Sequence, residues 1–230
     1  MRRYGAVAMT LHWLVAILFL CAAAGGWLMS RLDFSTAMRG DAYTLHKSVG
    51  LLILAIVLVR LRWRLRTRPT PPAGSGWEPR AALFVHRLFY ALLIATPLVG
   101  WFIVSTAGRQ PTEFFFLFDV PNMPVPKNAA MAQTAAAVHL TLVVTIVALL
   151  TVHVGAALKH HFLMKDDVFL QMVPGRDGQS DGRRAVMVAF AAILALVALA
   201  AIVLCSPEKR LPPQGRADAA APRSLPNPNR

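Results

Sequence analysis

The chain is patterned in blocks. Long apolar runs are separated by shorter stretches that are polar, charged or rich in Pro and Gly, and within a run the apolar residues do not alternate with period two. Five runs stand out, at roughly 8–29, 43–59, 81–104, 135–158 and 185–205. A helix needs about 20 apolar residues to cross the hydrocarbon core of a bilayer. Within lipid only helices and closed barrels satisfy their own backbone, and strict alternation is the barrel signature. The pattern therefore predicts an all-α membrane protein with five spanning helices. The second run is the shortest and ends in arginines. The first carries His12 and Trp13 and lacks a cleavage site of small residues, which predicts a helix rather than a signal peptide.

The connecting stretches differ in kind. Residues 67–78 are rich in Pro, Gly and Ser and read as a loop. Residues 108–127 mix aromatics with prolines in "EFFFLFDVPNMPVP", which places them at the outer membrane surface. Residues 176–184 form a charged loop, and residues 206–230, rich in Pro, Ala and Arg, are predicted to be a disordered tail.

Composition agrees with the pattern. Hydrophobic residues make up 56% of the 230 and charged residues only 15%, whereas soluble domains carry about 25% charged residues. A net charge of +13 raises nucleic acid as a partner, but the placement of the cations argues against it. Arg2 and Arg3 precede the first run, Arg60, Arg62, Arg64, Arg66 and Arg68 follow the second, and Lys159, Lys165, Arg176, Arg183 and Arg184 lie between the fourth and fifth. Cytoplasmic loops are the ones enriched in Lys and Arg. The N-terminus is therefore predicted to be cytoplasmic and the C-terminus, after five crossings, periplasmic. Cys21 and Cys205 form no CxxC motif, so neither a disulfide framework nor a zinc site is indicated.

The histidines change the picture. Ionisable groups at membrane depth are costly and mark functional sites. His12, His46, His139 and His153 lie inside the apolar runs, near helix ends. The predicted topology sorts them by depth into an outer pair, His46 with His139, and an inner pair, His12 with His153. His139 and His153 are fourteen positions apart. On an α-helix fourteen steps return to within about 40° of the starting face and cover about 21 Å. Two planar macrocycles, each held by two axial imidazoles, fit such an arrangement. Two ligands without Cys, Asp or Glu are too few for a closed zinc site, whereas haem supplies four equatorial nitrogens of its own. Small residues follow two of the histidines, Gly50 one turn after His46 and Gly155 two positions after His153, and Gly25, Gly26 and Gly100 lie within other helices; each lets a ring or a neighbouring helix approach the backbone closely.

The segments "LHWLVAILFL", "LHKSVGLLILAIVLVRLRWRL", "HRLFYALLIATPLVGW" and "VHVGAALKHHFLMKDD…LQMVPG" follow one another in order. Together they resemble the bacterial cytochrome b561 family over roughly residues 3–175. The resemblance implies a four-helix transmembrane bundle in the bacterial inner membrane that holds two b-type haems; the run 185–205, an extra transmembrane helix, departs from that pattern. It implies His12, His46, His139 and His153 as axial ligands. It also implies electron exchange between an outer-side partner and ubiquinone, as in the members that oxidise superoxide. His160 matches the family position beside the quinone, and His86 a position near the cytoplasmic haem.

Three functions follow from these readings: a respiratory-chain electron carrier that exchanges electrons with quinone and takes them from superoxide or a periplasmic redox protein, the cytochrome b membrane anchor of a larger oxidoreductase, and a histidine-based transporter. The transporter predicts acidic residues at mid-membrane, and no Asp or Glu lies within the five runs. Lys47 and Arg39, near His46, are placed to steer an anion toward the outer pair.

Overall fold

The computed structural model describes residues 5–31, 36–67, 77–165 and 169–172. Four helices carry the molecule: α1 (Ala6–Arg31), α2 (Thr36–Thr67), α3 (Trp77–Thr106) and α4 (Ala129–Lys159). All four are long and apolar enough to cross a membrane. The predicted loop 176–184, the fifth helix at 185–205 and the tail lie outside the described residues.

Each helix extends past its apolar run. In α2 the helix continues through Arg60, Arg62, Arg64 and Arg66 to Thr67. Hydropathy marks where hydrocarbon ends, not where a helix ends, and arginine is a good helix former whose stem lies along apolar surface. Helix α3 opens with Glu78 in its first turn, where a carboxylate complements the exposed N–H groups. Helix α4 is capped by Asn128, whose Oδ1 accepts the Met131 N–H at 3.0 Å, a contact of a kind that contributes about 1 kcal/mol.

The helices pack around one core drawn from all four: Val15 and Phe19, Ile53 and Val57, Leu92, and Ile146 with Val147. Residues such as Ile17, Val59 and Val152 point outward and are more than half exposed, at 55%, 56% and 63%. Apolar surface of this kind needs lipid around it.

The end of the bundle that carries His46 and His139 is here called upper, and the end that carries His12 and His153 lower. At the upper end the chain forms a two-stranded hairpin, β1 (Thr112–Phe114) and β2 (Phe118–Val120), paired antiparallel with Phe114 opposite Phe118. The Leu117 N–H donates to the Phe114 carbonyl at 3.0 Å, and the two residues between, Phe115 and Phe116, have φ of 48° and 60°. Such left-handed turns usually carry Asn-Gly or Asp-Gly. A Phe-Phe turn leaves no such mark in the sequence, which is why this stretch reads there as a plain loop. The hairpin is tied to α2 through the buried Ser48, whose Oγ accepts the Phe115 N–H at 2.8 Å and whose single proton is shared between the Thr44 carbonyl at 2.7 Å and the Glu113 carbonyl at 3.1 Å.

At the lower end α4 widens into a π-helical turn, His160–Met164, closed by Lys165 in the left-handed region. A short 3-10 helix, Phe169–Met172, then crosses back to α1, where the Met172 carbonyl accepts the Trp13 indole N–H at 2.7 Å.

Candidate functional site

The four histidines meet in the pairs expected from their depth. The ring centroids of His46 and His139 lie 6.4 Å apart with planes at 70°. Those of His12 and His153 lie 6.4 Å apart at 63°. A metal–imidazole bond is about 2.0 Å, and an imidazole nitrogen lies about 1.1 Å from its ring centre. One iron held by two imidazoles therefore sets their centroids about 6.3 Å apart. Both pairs match that separation. Among the described residues no three His, Cys, Asp or Glu side chains converge as a metal site of their own. The donor sets fit a group that asks for two axial nitrogens.

The surroundings of the upper pair favour the same reading. His139 Nδ1 lies 3.0 Å from the Thr96 carbonyl. A carbonyl only accepts, so Nδ1 carries the proton and Nε2 keeps its lone pair, the tautomer a metal ligand needs. Pro97, next in the chain, cannot donate to the helix ladder of α3 and loosens it at this level. The Ala22 backbone lies against the His46 ring, but buried His46 Nδ1 makes no hydrogen bond of ordinary geometry. Two glycines border the rings. A Cβ at Gly26 would sit 3.1 Å from His46 Cε1, and one at Gly100 would sit 3.3 Å from His139 Cε1. The close approaches thus fall at Gly26 and Gly100, while a Cβ at Gly25, Gly50 or Gly155 would meet nothing within 4 Å.

The lower site is richer. A cavity there is lined by His12, His86, His153, Arg60 and Tyr90 among apolar side chains. The His86 ring packs edge-on to His153 at 5.5 Å, as does Phe89. Arg60 Nη1 lies 2.9 Å from His12 Nδ1, and Arg60 Nε donates to Tyr90 Oη at 3.1 Å. His160 does not line this cavity; half-buried, it opens the π turn below it.

Arg60 is the functional candidate that the sequence reading missed, because it was counted with the topology-setting arginines. The signal was nevertheless in the chain. The spacing that links His139 to His153 on α4 also links His12 to Gly26 on α1, His46 to Arg60 on α2 and His86 to Gly100 on α3, each fourteen positions apart. Every helix therefore offers one residue at each level on nearly the same face. The upper level holds Gly26, His46, Gly100 and His139, and the lower holds His12, Arg60, His86 and His153. The partner of α4 changes from α2 above to α1 below.

Known proteins share this frame. A family model described as "Prokaryotic cytochrome b561" matches residues 3–175. The chain is 35% identical to "Cytochrome b561 homolog 2" of Escherichia coli (strain K12), over 74% of this chain and 91% of that protein. It is 28% identical to "Cytochrome b561 homolog 1" of the same organism, over 76% of this chain and 99% of that protein. It is 30% identical to "Probable superoxide oxidase CybB" of Yersinia pestis, over 77% of this chain and 99% of that protein. With four membrane-length helices whose histidines pair at two depths, and with this match over most of its length, the chain belongs to the prokaryotic cytochrome b561 family, multi-pass membrane electron-transfer proteins that carry b-type haem.

Proposed function

We propose that the chain is a dihaem cytochrome of the bacterial inner membrane. In this reading it carries electrons from superoxide at the upper, periplasmic side to ubiquinone at the lower, cytoplasmic side. The observation that carries the proposal is the pair of equal 6.4 Å imidazole separations at two depths. Held in this way, b-type haem supplies reversible one-electron transfer. Two superoxide ions each give one electron and become O2, while one ubiquinone takes both electrons and two protons to become ubiquinol. The orientation rests on the arginines at the lower end of α2.

The chain's own residues divide the work. His46 with His139, and His12 with His153, would each hold one haem through their ring nitrogens. The Thr96 carbonyl holds His139 in its ligating tautomer. Lys47, Arg39 and Arg109, the last lying 5.8 Å over the Tyr43 ring, draw an anion to the upper end. His160 and His86 serve the quinone: a neutral imidazole donates its N–H to a carbonyl oxygen. The relative named as a superoxide oxidase supports this choice of donor.

The test uses the purified full-length protein in liposomes with ubiquinone and a steady source of superoxide. Ubiquinol should form at a rate that vanishes when superoxide dismutase removes the donor. A protein that forms none on its own but co-purifies with a soluble redox subunit would replace this reading with that of a membrane anchor.

The glycine at the upper site supplies a further expected outcome. With a Cβ at Gly26 already 3.1 Å from His46 Cε1, the branched side chain of Gly26→Val displaces that ring. Optical spectra of the purified variant should show the upper haem lost and the lower retained. An unchanged two-haem spectrum would mean that His46 has room to retreat.

A further inference from the structure

We infer that Arg60 is a positioning residue that pairs with a carboxylate of the lower haem and raises that haem's midpoint potential. The inference rests on the dihaem reading and adds a bias to it: the cation favours the reduced state at the end where the quinone is proposed to bind.

The geometry carries the argument. Arg60 is one full level below His46 on α2 and faces the cavity rather than the headgroups. Its guanidinium is anchored by its own Nε, which donates to Tyr90 Oη at 3.1 Å, and its carbon lies 5.9 Å over the Tyr90 ring. Arg64 lies over the same ring at 5.9 Å. None of the described residues lining the cavity is acidic. A half-buried guanidinium in an apolar wall with no anionic partner among the described residues is costly, and an anion brought by the ligand removes that cost. Haem b carries two carboxylate side chains. The planar fork of Arg suits a carboxylate better than the point charge of Lys does.

The contact with His12 points the same way. A guanidinium only donates. When His12 ligates iron through Nε2, its Nδ1 carries the proton and cannot accept from Arg60 Nη1. The donors at Nη1 then need another acceptor, while the Nε–Tyr90 bond keeps the group in the wall. At the upper level the residues at the matching height on α1 and α3 are Gly26 and Gly100, which bring no charge. A fixed cation in the cavity wall favours the reduced, less positive iron, so Arg60 raises the potential of the lower haem.

The experiment is a redox titration of the haem optical bands in purified protein, in a His46→Ala background that retains the lower haem alone. The unmodified protein is assayed first: if it lacks two haems, the dihaem reading itself fails, and that failure is distinct from any result on Arg60. In Arg60→Gln the lower haem should become harder to reduce by at least tenfold in its equilibrium, or about 59 mV for one electron. Arg60→Lys keeps the charge and should lie between. Retention of haem with an unchanged midpoint in Arg60→Gln overturns the inference. Loss of the lower haem from Arg60→Gln but not from Arg60→Lys supports it, since charge separates the two. Loss from both overturns it in favour of a purely structural role.

Discussion

Replacing His139 by alanine should remove one haem and leave the other. His139 is held by the Thr96 carbonyl at 3.0 Å, with its ring 6.4 Å from that of His46 and with Gly100 giving it room. Alanine supplies no axial nitrogen and leaves His46 as the single ligand of the upper site. The lower pair lies about 21 Å away along α4, with the buried core residue Ile146 midway between the two histidines of that helix. Few packing changes travel that far through a close-packed core. The purified variant should therefore carry half the haem of the unmodified protein, with the lower haem's spectrum intact. His153→Ala should give the complementary loss. A variant of His139 that keeps its full haem complement would show that another residue on α4 ligates the iron.

A different substitution separates haem binding from quinone chemistry. His160 follows His153 by seven residues, about two helical turns or 10 Å. There α4 gives way to the π turn His160–Met164, and π turns gather at functional sites because they re-aim side chains. His160 is thereby set below the lower cavity, where the proposed quinone would bind, with His86 lining the cavity above it. His160→Ala should keep the haem content unchanged. Its rate of electron exchange with ubiquinone should fall at least about tenfold, equivalent to about 1.4 kcal/mol of barrier. A quinone rate equal to that of the unmodified protein would remove His160 from the site. Loss of a haem would mean that it ligates iron.

How much of this was legible in the sequence varies with the physics behind each feature. The four described helices were, because bilayer thickness imposes run lengths that hydropathy detects. Their ends were not, since Arg60 to Arg66 continue α2 where the apolar run stops. The pairing of the histidines was legible because depth alone sorts them, and their fourteen-residue spacing on α4 returns them to one face. The roles of Gly26 and Gly100 were legible only as a class, because which glycine faces a ring depends on how the helices rotate against each other. Arg60 was hidden by its neighbours in an arginine run whose other members suit the interface. Only its distance from His46 set it apart. The hairpin at 112–120 was invisible, because its turn is made by Phe115 and Phe116 in a conformation that sequence reading assigns to Asn and Gly.

The central claim is that this one chain holds two haems, each between two histidines on facing helices. It is tested most directly by extracting the non-covalent haem from the purified full-length protein as its pyridine complex, and dividing by the protein measured in the same sample. The account predicts close to two b-type haems per polypeptide, both low-spin in the optical spectrum as two axial imidazoles require. A ratio near one, or a high-spin spectrum from either haem, would contradict it.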